Sequence, residues 1–186
     1  KVGMKTIAPR DFTATARALH WAIAILMLSQ FATNWLRAAA ERGSALRGFW
    51  REIHVSAGIL VFVLTLIRMF WRFYAPPPQP LGNSLALRLS AQVGHGLLYL
   101  LTFVTPITGF LRATAGGRPL AAFGLSIPSP FVANPGFRHL MFEIHGSVME
   151  YVFIAMICGH MAAAFWHQLV LRDGTLKRMA LSVRQR

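Results

Sequence analysis

The chain has 186 residues, 55% of them apolar and only 13% charged, with a mean hydropathy of +0.48. That balance excludes an ordinary water-soluble domain and points to membrane spans, in which charge sits at the ends of apolar runs. The net charge of +13, from 19 Lys and Arg against 6 Asp and Glu, is divided between those runs rather than gathered on one face. It therefore argues against nucleic acid as a partner and reads as topology signals facing anionic lipid.

Four apolar runs succeed one another: about 16–36, 53–73, 90–113 and 142–171. Each is long enough for a helix to cross the hydrocarbon core, which takes about 20 residues. Nothing alternates as a barrel strand does, and helices satisfy their own backbone in lipid. "APPPQPLGNS" (75–84) ends the second run, and the Gly/Pro-rich stretch 114–136 is a loop before the fourth. Pro106 is expected to kink the third span. The expected fold is all-α: one integral membrane four-helix bundle over residues 1–186.

Orientation comes from Lys and Arg. With the N-terminus inside, the cytoplasmic side carries Lys1, Lys5, Arg10, Arg17, Arg68, Arg72, Arg88, Arg172, Lys177, Arg178, Arg184 and Arg186. The outer side carries Arg37, Arg42, Arg47, Arg51, Arg112, Arg118 and Arg138. This bias, 12 against 7, predicts both termini in the cytoplasm.

The seven histidines are the chemistry-bearing residues, because an imidazole is costly in hydrocarbon without a task. In this topology His54 and His145 are level near the outer surface. His20, His95, His160 and His167 lie in the inner half. His145 and His160 are roughly 22 Å apart along a helix and about 60° apart in direction, so both can face the bundle interior. Facing imidazoles from two helices are the axial ligands of a b-type haem, built as bundle cofactor sites are built. The outer pair is His54 with His145; in the inner half, depth alone lets His20 pair with His160 or His167. A zinc or copper site needs more ligands than the outer half supplies. Histidines that only hydrogen-bond between helices would make a structural or transport bundle. The single Cys158 reads as a packing residue, His139 as a wet loop residue. The absence of Cys-x-x-Cys-His argues against covalent haem.

The motifs "LHW" (19–21), "IHVSAGI" (53–59), "GHGLLYL" (94–100), "AAFGL" (121–125) and "HMAAAFWHQLVLRDGTLKRM" (160–179) run nearly the whole chain in order. Together they resemble the bacterial dihaem cytochrome b561 family of inner-membrane four-helix proteins. They are especially similar to its small stand-alone superoxide:ubiquinone oxidoreductases. The resemblance implies two b haems, with His20 and His160 on the inner iron and His54 and His145 on the outer. It implies a spacing of 14 between the two ligands on the fourth helix, where this chain has 15; a π-bulge or a slight helix rotation would absorb the extra residue. It also implies a ubiquinone site at the cytoplasmic end, for which His95, Trp166 and His167 are candidates. Haem propionates would seek Arg17, Arg68 and Arg72 inside and Arg47 and Arg51 outside. The implied activity is transmembrane electron transfer from superoxide to ubiquinone, with Arg47, Arg51, Arg112, Arg118 and Arg138 attracting the anion. The alternative is a cytochrome b subunit or anchor of a larger respiratory or dehydrogenase complex that takes electrons from a partner protein.

Overall fold

The computed structural model describes residues 11–79 and 84–181. Lys1, Lys5, Arg10, Arg184 and Arg186, which enter the charge bias, lie outside the described residues. Helix α1 spans Ala14–Ala39, α2 Ala45–Tyr74 and α3 Leu85–Thr114. A short antiparallel hairpin comes next, β1 (Leu120–Ala122) and β2 (Leu125–Ile127). Helix α4 (Pro135–Phe142) runs through a π-turn, Glu143–Val148, into α5 (Met149–Trp166). A second π-turn, His167–Leu171, ends that rod, and a short α6 (Thr175–Met179) closes the described chain.

The helix starts reflect local chemistry. Thr13 and Ser44 cap α1 and α2 by accepting from the amides of Ala16 and Arg47, each at 3.2 Å. Asn134 caps α4 at 2.9 Å, with Pro135 in the first turn, where its missing N–H costs nothing. Helices α2, α3 and the rod from Pro135 to Leu171 are long and apolar enough to cross a membrane. Helix α1 is 26 residues long but more polar, carrying Arg17, His20, Gln30, Asn34 and Arg37.

The packed centre is small: Ile23, Met27, Val61 and Phe153, with Leu26, Phe31, Leu64, Leu101 and Ile157 against it. Large apolar side chains such as Phe70, Phe73, Leu100, Tyr151 and Phe165 point outward. An apolar exterior around a thin core is the pattern of a bundle immersed in lipid.

The structure corrects four sequence expectations. Residues 114–136 are not all loop, because the hairpin folds back onto α2: Ser56 accepts from the Phe123 amide at 2.9 Å, and Glu52 from Gly124 at 2.6 Å. The fourth helical rod begins at Pro135 rather than 142, since Asn134 caps it there. His139 is therefore helical, although exposed. Cys158 is exposed rather than packed; the outward face of α5 is apolar, and a thiol suits it.

Candidate functional site

Two histidine pairs stand at opposite ends of the bundle. His54 of α2 faces His145 of the first π-turn, with ring centroids 6.2 Å apart. His20 of α1 faces His160 of α5, also at 6.2 Å. His95 of α3 lies 5.7 Å from His160, making the inner end a group of three rings. Two imidazoles bound through Nε2 to one iron, at ~2 Å each, hold their ring centroids ~6 Å apart. Both pairs have that separation.

The π-turn bears on the spacing of the helical pair. A single π-bulge accommodates one extra residue without rotating the helix beyond it. With it, the 15 residues from His145 to His160 carry about the rotation that 14 make in a plain α-helix, roughly −40° rather than +60°.

At the outer pair the ring nitrogens are sorted. His54 Nδ1 lies 3.2 Å from the Gln30 carbonyl and 3.2 Å from Thr33 Oγ1. His145 Nδ1 lies 3.0 Å from the Thr105 carbonyl and 3.3 Å from Thr108 Oγ1. A carbonyl fixes the proton on Nδ1 and leaves Nε2 as a ligand, the arrangement that orients metal-bound histidine. Gly109 lets the His145 ring lie against α3, since a Cβ there would come 2.7 Å from His145 Cε1.

A cavity of about 840 Å³ opens beside this pair, lined from α1, α2, α3 and the α4–α5 rod. Arg37, Arg51, Arg112, Arg118 and Arg138 border it, with His139. The carboxylate in the lining, Glu150, accepts from Asn34 Nδ2 and Trp35 Nε1, both at 3.3 Å. A large apolar-walled space with two free imidazole nitrogens and a rim of guanidinium groups fits a haem and its propionates.

The inner pair fits less completely. Arg68 approaches His20 Nδ1 at 3.0 Å. A guanidinium only donates, so this Nδ1 accepts, whereas an iron at Nε2 calls for a proton at Nδ1. Ligation at His20 therefore requires Arg68 to give up this bond. Arg68 and Arg72 also stack on the Tyr99 ring at 5.3 and 5.0 Å.

The other candidates are divided among several environments. Arg51 lines the outer cavity, but Arg47 is committed to the end of α1, donating to the Arg37 and Ala40 carbonyls at 2.9 Å. Arg17 is buried and donates to the Phe12 carbonyl at 2.8 Å. Trp166 is 55% exposed on the outward side of α5. His167 turns away from the haem-type pairs and bonds Asp173. Sequence reasoning missed Gln30, Thr33, Thr105 and Thr108 behind the outer rings, Arg37 at the cavity rim, Gly109 and Asp173. The signal for Asp173 was its place six residues after His167, just past the apolar run.

Comparisons with known proteins give the family. The family described as prokaryotic cytochrome b561 matches residues 11–181. Cytochrome b561 homolog 2 of Escherichia coli (strain K12) is 35% identical over 184 residues, 94% of this chain and 93% of its own length. "Probable superoxide oxidase CybB" of Yersinia pestis is 32% identical over 174 residues, 91% of this chain and 96% of its own. Cytochrome b562 of Cereibacter sphaeroides is 33% identical, covering 90% and 94%. A helical bundle with an apolar exterior, facing histidines inside it and a match over nearly every described residue have one common explanation: the chain belongs to the prokaryotic cytochrome b561 family, multi-pass membrane proteins that carry electrons on b-type haem.

Proposed function

We propose that the chain is a single domain of four membrane spans, α1, α2, α3 and the α4–α5 rod, holding two b haems. His54 and His145 would bind the outer one, His20 and His160 the inner one. The two histidine pairs with equal 6.2 Å separations at opposite ends of the bundle carry this reading. The haem would supply one-electron relay when bound; the chain would supply ring nitrogens as ligands and, at the outer pair, carbonyls that fix their tautomer. Arg51 and Arg112 would hold propionates outside, Arg68 and Arg72 inside. The Lys and Arg bias supports placing both termini in the cytoplasm, and the bacterial relatives support placement in the inner membrane.

The substrates are assigned from the two ends. The outer cavity rim is cationic, with five arginines beside one carboxylate, and attracts a small anion. One relative bears the name of a superoxide oxidase. We assign superoxide as the outer donor and ubiquinone as the inner acceptor. Two superoxide anions leave as two dioxygen molecules and two electrons; the quinone takes both electrons and two cytoplasmic protons. The test is haem content and superoxide-dependent ubiquinone reduction by the isolated protein in detergent. Two haems per chain and quinone reduction that superoxide dismutase abolishes are expected. A protein that holds two haems, ignores superoxide and copurifies with a dehydrogenase is instead the cytochrome subunit of a larger complex.

A further inference from the structure

Among the described residues, one histidine has a carboxylate partner. His167 opens the second π-turn, after which Arg172 (φ 51°) and Gly174 (φ 80°) both take left-handed conformations. That double reversal swings Asp173 back over the end of the helix, where its amide donates to the His167 carbonyl at 3.3 Å. The two carboxylate oxygens are divided. Oδ1 accepts from the Thr175 hydroxyl at 2.7 Å and its amide at 3.0 Å. Oδ2 meets His167 Nδ1 at 2.5 Å.

Held in this way, the carboxylate fixes the imidazole. A carboxylate only accepts, so Nδ1 carries the proton and Nε2 is the free nitrogen. Asp173 side-chain exposure is 21% and that of His167 is 19%, so the pair is partly exposed at the end of the apolar rod. His167 lies seven residues beyond His160, at the cytoplasmic end of the same rod.

We propose that Asp173 is a positioning residue that makes His167 the proton donor to the quinone; this rests on the reading of the inner end as a quinone site. As electrons arrive one at a time, imidazolium Nε2–H gives its proton to a quinone oxygen. The ring becomes neutral, still bonded through Nδ1–H to the Asp173 carboxylate. It takes a proton from cytoplasmic water, and the second electron and second proton complete the quinol. Asp173 itself stays ionised throughout.

The experiment monitors reoxidation of the reduced, haem-loaded full chain by decylubiquinone, in wild type, Asp173→Asn, Asp173→Glu and His167→Gln. A companion measurement reads the His167 tautomer by ¹⁵N-histidine NMR of the reduced protein. Asp173→Asn is expected to lower kcat about 10- to 100-fold, with KM within about twofold, an unchanged haem spectrum and a mixed His167 tautomer. Asp173→Glu should recover much of the rate. A His167→Gln variant that is slow while Asp173→Asn is as fast as wild type overturns the role of Asp173 alone. Equal losses in Asn and Glu variants, with raised KM and an unchanged tautomer, make Asp173 merely structural and also overturn it. A His167→Gln variant that matches wild type overturns the role of His167 and of Asp173 with it, whereas a wild-type protein that decylubiquinone does not reoxidise overturns the quinone reading itself.

Discussion

The outer and inner ends of the bundle hold their histidine pairs at the same separation but treat them differently. Outside, backbone carbonyls of Gln30 and Thr105 stand behind both rings. Their proton positions are set before any ligand arrives, beside a ready cavity of about 840 Å³. Inside, a guanidinium stands behind His20, a third imidazole crowds His160, and a fourth histidine is engaged by a carboxylate. Ligation and electron relay need fixed geometry alone. The end with more titratable neighbours is the one suited to coupling electrons to protons.

Removing a proposed haem ligand breaks the comparison most strongly. His54→Ala or His145→Ala should lose the outer haem and keep the inner. His20→Ala or His160→Ala should do the reverse, so each leaves roughly half the haem by pyridine haemochrome assay. His167→Ala should retain both. A His167→Ala protein that loses a haem while His145→Ala keeps two would mean that the ligand set is wrong. Gly109→Ala comes next. Its Cβ falls 2.7 Å from His145 Cε1, too close for a real contact, so the outer haem should bind weakly while the inner one is untouched. Gly94→Ala on the same helix meets nothing within 4 Å and serves as the control.

Arg68 sharpens the contrast at the inner end. A fixed positive charge beside an iron favours the reduced form, so Arg68→Gln should lower the inner potential. At a separation of several ångströms and partial solvation the shift is on the order of 50–100 mV. Thr108→Val removes the hydroxyl that lies 3.3 Å from His145 Nδ1 and donates to the Thr105 carbonyl at 2.8 Å, and leaves that carbonyl to His145. Its effect on the outer potential should be smaller, about 20–60 mV. Redox titration of each variant beside wild type reads both.

Spans two to four were legible because apolar runs bounded by Pro, Gly and Arg leave little choice of structure in lipid. Depth and helical direction put His54 level with His145, but depth left His20 beside either His160 or His167, and only the family resemblance chose between them. The residues behind the histidines were not legible: Thr33, Thr105 and Thr108 look like any Thr in a membrane helix, and the carbonyls of Gln30 and Thr105 belong to the backbone. The hairpin 120–127 was hidden because its strands are three residues each and hold only by docking on Glu52 and Ser56. Spacing alone left two ways to bring His145 into line with His160, a π-bulge or a slight helix rotation. The structure shows the bulge, which depends on how α4, α3 and α5 pack.

The smallest effect concerns the acid side of the inner end. Burial is the largest single influence and raises the Asp173 carboxyl, but hydrogen bonds from Thr175 and His167 and the nearby imidazole together outweigh it and hold the group below the usual carboxylate range. A depressed folded value means that this contact contributes fully above the unfolded carboxyl value and is lost as pH falls through the folded one. The chain between Asp173 and Met179 should therefore loosen only in acid, below the range where ordinary carboxylates titrate. Trp21 reports it, because its indole N–H donates to the Met179 carbonyl at 2.8 Å. Its emission should shift as α6 lets go, and Asp173→Asn should show the shifted emission already at neutral pH. The outer end, whose bonds behind His54 and His145 involve no carboxylate, should show no change over the same pH interval, so a parallel acid change in the outer haem spectrum would erase the distinction between the two ends.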